Sequence, residues 1–149
     1  MKKTIIITVF SLLAQTALSQ DALFKKYEDM KGVESVYVSK TLLSLAAGSL
    51  NVGDFDLKTV VGKIDHIRVM NCEDGQTAQR IKADALAELK KDRHTELLRR
   101  RDGDEQTYIY VGKSGGMNEY VLLNIDGREV QVVNITGTLT AEDIQRITR

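Results

Sequence analysis

The stretch from His94 to Gly137 constrains the fold of this chain more than any other. Three glycine-bearing turns, Asp102-Gly103, Ser114-Gly115-Gly116 and Asp126-Gly127, divide it into segments of strand length at 94–101, 106–112, 118–125 and 128–136. Asp-Gly suits a two-residue hairpin loop because both central residues need positive φ, which Gly and Asp tolerate best. Between the turns stand Tyr108-Ile109-Tyr110-Val111, Tyr120-Val121-Leu122-Leu123 and Val130-Gln131-Val132-Val133, whose branched and aromatic side chains fit a pleated surface. The expectation is a four-stranded meander that buries one face, with helices from the rest of the chain laid on it.

Register decides which face, because a one-residue slip turns every side chain over. With Asp126-Gly127 as a two-residue loop, Leu123 faces Val130 and Val121 faces Val132. With Gly112 paired to Asn118, Tyr110 faces Tyr120 and Val111 faces Glu119. One face then carries Ile109, Val111, Val121, Leu123, Ile125, Val130 and Val132, and is the expected core. The other carries Tyr108, Tyr110 and Tyr120 among polar and apolar neighbours, on the side away from the helices.

The N-terminus speaks to location. Met1-Lys2-Lys3 precedes an apolar run from Ile5 to Leu13, then Ala17-Leu18-Ser19 ahead of Gln20. That is the pattern of a signal peptide over 1–19, leaving a single α+β domain over 20–149. The run is too short to span a bilayer, which takes roughly 20 residues, and no later segment is long and apolar enough to do so. No Cys follows the run, so the chain is expected to be exported without a lipid, to the periplasm or beyond.

Charge and cysteine narrow the function classes. Removing Lys2 and Lys3 leaves 21 − 2 = 19 basic against 21 acidic residues, a net charge near −2. Nucleic-acid binding, which shows as a basic excess on the domain, has no support here. The single cysteine, Cys72, leaves an exported domain without an internal disulfide, so its core must hold it together.

Along the chain, Leu23, Phe24, Tyr27 and Met30 form one face of a helix over 21–31, ended by Gly32. A strand follows over 33–38, then a helix capped by Ser39 and running to about Ala47. Residues 48–53 read as a loop, and a third short helix starts at Asp54 or Asp56 and closes at Gly62. The strand 64–71 sets Ile67 and Val69 against His66, Arg68 and Met70. The long helix after it has Asp74 as N-cap and Ala78, Ile81, Ala85, Leu86 and Leu89 at helical spacing. The last helix begins with a capping box, Thr140 and Asp143, inside a Leu139–Ile144 staple. The expected fold class is α+β, a largely antiparallel sheet ending in a four-stranded meander with helices packed on one face. The two early β-α units hint at a ferredoxin-like start.

Several of these stretches together carry a resemblance. They are the signal peptide, Leu23-Phe24-x-x-Tyr27, Gly32-Val33-x-x-Val36-Tyr37, Ile67-Arg68-Val69 before a long helix, and Tyr108-Ile109-Tyr110-Val111 before a Gly-Gly turn. The ending Val132-Val133-Asn134-Ile135-Thr136-Gly137 with its Thr-capped helix completes the set. The chain resembles the exported proteins of Bacteroidota grouped as domain of unknown function 4252, over essentially all of its mature length. Many of those relatives look like lipoproteins, and this chain departs from them in lacking the acylated cysteine. The resemblance implies a fold and no catalytic residues.

Candidate chemistry is sparse. Cys72 stands at a strand-to-helix junction, where helix amides lower a thiol pKa, but Glu73 and Asp74 beside it oppose the thiolate. Neither His66 nor His94 is placed by spacing to act as its base. Asp102, Asp104 and Glu105, and Asp54-x-Asp56, lack the ligand spacing of a calcium loop and suit turns and caps. Lys113-Ser114-Gly115-Gly116 has no strand-loop-helix setting to make it a phosphate cradle. No catalytic residue, metal or cofactor is therefore assigned.

The surface to test is Tyr108, Tyr110 and Tyr120 with Arg99 and Arg101. If Asp102-Gly103 is a two-residue loop, Arg99 and Arg101 share the tyrosine face, and a three-residue loop reverses that. Tyr and Arg are enriched at interface hot spots, so this face suits an envelope protein or an anionic glycan. The plainer alternative is a solvated face with cationic protection of a sheet edge. The leading expectation is a non-enzymatic exported binding module. Its rival is a small periplasmic hydrolase or thiol enzyme with an unrecognised site.

Overall fold

The computed structural model describes residues 19–46, 51–52, 55–56 and 59–147. The expected signal peptide, apart from Ser19, and most of the 48–53 loop lie outside these. In chain order the described elements are α1 (Ser19–Tyr27), β1 (Val33–Val38), α2 (Lys40–Leu45), β2 (Asn51–Val52) and β3 (Phe55–Asp56). A 3-10 turn (Val61–Lys63), β4 (Ile64–Cys72), α3 (Gly75–Lys91), β5 (Thr95–Asp102) and β6 (Glu105–Ser114) follow, then β7 (Met117–Asp126), β8 (Glu129–Gly137) and α4 (Ala141–Ile147). Of the third short helix expected over 54–62, residues 54, 57 and 58 lie outside the described residues, and the others do not form an α-helix. Phe55–Asp56 pairs instead with Asn51–Val52, and only Val61–Lys63 turns helically. Among the described residues no helix is long and apolar enough to cross a membrane.

The α+β class and the meander are as expected. Six strands form one sheet in the order β1-β4-β8-β7-β6-β5, every neighbouring pair antiparallel. The ferredoxin-like start is not formed: its split β-α-β unit sets two parallel strands on either side of a third, whereas β1 and β4 are direct neighbours and antiparallel. Alternating direction leaves β4 and β5 pointing the same way with β8, β7 and β6 between them. Four strand spacings cover about 19 Å, and a 17-residue helix is about 25 Å long. Helix α3 is therefore long enough to carry the chain across the sheet to its far edge.

Helices lie on both faces of the sheet, not on one. Helices α1 and α3 cover Met70, Cys72, Val121, Leu123, Ile125, Val130 and Val132 through Phe24, Tyr27, Ile81, Ala85 and Leu89. On the opposite face α2 and α4 cover Ile67, Val69, Ile109, Tyr120, Leu122, Val133 and Ile135 through Leu43, Ile144 and Ile147. Strands β4, β7 and β8 thus bury residues on both faces, and the unbroken apolar stretch Tyr120–Leu123 of β7 reflects it.

The caps follow the sequence. Asp74 accepts from Thr77 N–H at the start of α3. Thr140 and Asp143 exchange the two bonds of a capping box, Thr140 N–H to Asp143 Oδ2 at 2.9 Å and Asp143 N–H to Thr140 Oγ1 at 3.3 Å. Asp143 is also buried and receives Lys63 Nζ at 2.9 Å. Helix α1 is fastened to α3 where Tyr27 Oη–H and Lys26 Nζ both donate to Asp84.

Candidate functional site: the outer hairpin

Strand β5 ends the sheet, and each of its residues is exposed. Its pairing with β6 sets Arg99 across from Tyr108 and Arg101 across from Gln106. A bulge between Glu96 and Leu98 takes up Leu97, so Glu96 falls across from Tyr110. In a regular strand residues i and i+3 point to opposite faces. The extra residue brings Glu96 and Arg99 to the same face.

A connected array results. Arg99 donates from Nε and Nη2 to the two oxygens of Glu96, both at 2.9 Å. Tyr110 Oη–H donates to Glu96 Oε2 at 3.1 Å, and Tyr108 Oη–H to Gln106 Oε1 at 3.1 Å. The Arg99 guanidinium lies 5.8 Å from the centre of the Tyr108 ring. The Tyr108 and Tyr110 rings stack with centroids 6.4 Å apart and planes 16° from parallel. The fork from Arg99 holds the Glu96 carboxyl below the ordinary carboxylate range. Partial burial, then the bond to Glu96, push the Tyr110 phenol up.

Four of the five residues singled out from the sequence are therefore together: Arg99, Arg101, Tyr108 and Tyr110 share the α3 side of β5 and β6. Tyr120 does not join them. It faces Val111 from the other side of the sheet, is 2% exposed, and donates to Leu139 O at 2.9 Å. The expected Tyr110–Tyr120 pair is replaced by Tyr110–Val121. The residue that spacing did not reveal is Glu96, because only the bulge turns it toward Arg99.

A second, buried cluster lies at the root of β5. Helix α3 ends in a pair of bonds, Arg93 N–H to Lys90 O and His94 N–H to Leu89 O, with Arg93 in the left-handed region at φ 57°. This is the close usually made with Gly, and it delivers His94 onto the sheet. His94 Nε2 lies 3.1 Å from Glu119 Oε1, their side chains 4% and 10% exposed. The imidazole rests on Gly112, where a Cβ would stand 2.5 Å from the ring. Burial beside these groups pushes the Asp92 carboxyl up. Cys72 is buried and donates to Asp74 O at 3.6 Å, whereas His66 bonds to Asp65 and His94 to Glu119. The cysteine and the two histidines thus have separate partners.

A family model described as Domain of unknown function (DUF4252) matches residues 27–147. The chain belongs to this family. No curated protein and no solved structure matches it. The DUF4252 match takes in the whole sheet, the outer hairpin, and helices α2 to α4. It reaches α1 only at Tyr27, although Leu23 and Phe24 belong to the buried core.

Proposed function

We propose that this DUF4252 protein is an exported, non-enzymatic binding module of the cell envelope that takes its partner on the α3 side of the outer hairpin. The array on β5 and β6 carries the reading. A guanidinium, two phenols and a carboxylate are held in one geometry across β5 and β6, and every residue of β5 is exposed. Ordering these side chains beforehand lowers the entropic cost of binding. Tyr and Arg are the residue types that concentrate binding energy, and Arg101, exposed beside the array, offers charge to a carboxylate or sulfated sugar. Export rests on the basic, apolar and small-residue order of 1–19.

The test is site-specific photocrosslinking in cells expressing the full chain. A photoreactive residue at Arg101 should yield a covalent product with a second envelope component, while the same probe at exposed Glu142 on α4 should not. Tyr110→Thr, which keeps strand propensity, should weaken that capture roughly thirtyfold while the protein stays folded. Products independent of Tyr110 and Arg99 would remove the hairpin as the site. Mass spectrometry of the exported form should find Gln20 at the N-terminus without lipid; intact Met1 would overturn the location.

A further inference from the structure

The outer edge of β5 shares Glu96 and Arg99 with the α3-side array and permits an inference beyond the binding reading. We propose that two copies of this chain pair through their β5 edges, antiparallel about a two-fold axis at Leu98, to continue the sheet from one copy into the other.

An edge strand presents a row of unpaired N–H and C=O groups to any second strand. Arginines on such an edge ordinarily guard it, and here they select a register. In an antiparallel pair related by a two-fold, residues on the same face meet. Counting rungs against β6, with Leu97 absorbed by the bulge, the order along β5 is Glu96, Leu98, Arg99, Arg100, Arg101. An axis at Glu96 sets that carboxylate against itself. An axis at Arg99 sets two guanidinium groups face to face, and one at Arg100 does so three times over, since Arg99 then meets Arg101. Only an axis at Leu98 places every Glu96 across from an Arg99. It also places Leu98, 41% exposed in the single chain, against its own copy and leaves Arg100 facing uncharged Thr95.

The Glu96–Arg99 pair within each strand then becomes a ring of four alternating charges around the axis. Like charges directly opposite destabilise a strand pair and opposite charges favour it. The axis at Arg99 also sets Glu96 across from Arg101, but of these four registers only the one at Leu98 sets no like charges opposite each other. About five rungs of edge contact make a small interface, of the kind that associates weakly.

Sedimentation velocity on the mature chain, from micromolar toward millimolar concentration, should show a reversible monomer–dimer equilibrium. Glu96→Arg and Arg99→Glu should each sediment as monomers with unchanged far-UV circular dichroism, since each sets like charges across the axis. An equimolar mixture of the two variants should recover the dimer, because the arginines of one chain then meet the glutamates of the other. Within either chain alone the two charges remain alike, so recovery on mixing reports an intermolecular pair only. A monomeric wild type throughout, single variants that still dimerise, or a mixture that stays monomeric would each overturn the proposal. Crosslinking at Arg101 to a different protein would survive that outcome, so the two readings fail separately.

Discussion

The β7–β8 hairpin and the β5–β6 hairpin are joined by the same two-residue turn architecture, yet their fates in the fold are opposite. Val121, Leu123 and Val132 are completely inaccessible, whereas every residue of β5 is exposed. In β7 and β8 both parities are apolar because a helix layer lies on each side. In β5 the same positions hold Glu96, Arg99, Arg100 and Arg101, and its two leucines, Leu97 and Leu98, remain 42% and 41% exposed. The outer strand is held by its backbone ladder to β6 and the side-chain array above it, with almost no burial. The central pair carries the stability, which leaves the sequence of the outer strand free to serve recognition.

That contrast is open to a direct test by truncation. Leu123→Ala should cost about 2–5 kcal/mol, the range for deleting a fully buried leucine, whereas Leu98→Ala should cost less than about 1 kcal/mol. Urea unfolding of the two variants measures both, and equal losses would erase the distinction between centre and edge.

The next largest effect lies at the boundary between the two hairpins. Gly112 belongs to β6 but seats His94 against Glu119 of β7. Gly112→Ala should cost about 1–3 kcal/mol by forcing the ring away. Made in a His94→Ala background, the same change should cost far less, and a double-mutant cycle reads the difference. A cycle that closes additively would mean the ring does not need the space.

The smallest effect compares two carboxylates across the fold. The Thr140 N–H and then the Lys63 ammonium hold the buried Asp143 down to about 2, well below its ordinary 3.8. A group lowered on folding stabilises the protein above its unfolded pKa and loses that contribution as pH falls through the folded value. Stability should therefore decline between about pH 4 and pH 2 in part through Asp143. Asp143→Asn should flatten that decline in urea midpoints measured against pH. Glu96→Gln should leave it nearly unchanged, because the exposed Glu96–Arg99 pair is screened by water.

Most of the architecture was legible in the sequence, since glycine turns and apolar runs mark element ends through local chemistry. What was not legible was the position of each loop by a single residue. Asp102 and Asp126 stay in their strands, paired with Glu105 and Glu129, so the loops are Gly103-Asp104 and Gly127-Arg128. Only the first residue of each has positive φ, 59° and 57°, as in a type II′ turn rather than the type I′ expected of Asp-Gly. Pairings there moved by two residues, which preserves faces: Leu123 meets Val132 instead of Val130. At Gly115-Gly116 both residues have positive φ, and the pairing moved by one, Gly112 meeting Glu119. That single step separated Tyr108 and Tyr110 from Tyr120. It also explains why the tyrosines that remain together stand on the helix side. Tyrosine content alone could not tell these positions apart, because both faces of the sheet are apolar enough to serve as core.

The crossover made by α3 has a consequence in time. Strand β4 precedes β5, β6 and β7 in the chain, yet its inner partner is β8, so that Cys72 meets Val130 and Ile64 meets Gly137. As the chain emerges from synthesis, β1 and β4 have only each other, and the inner edge of β4 stays vacant until the last strand arrives. The meander β5 to β8, by contrast, is built from neighbours and can close on local contacts, which form quickly. Local contacts therefore favour formation of the C-terminal meander before the N-terminal strands dock on it. A nascent chain halted before Glu129 holds β4 with β1 on one side and its other edge unpaired.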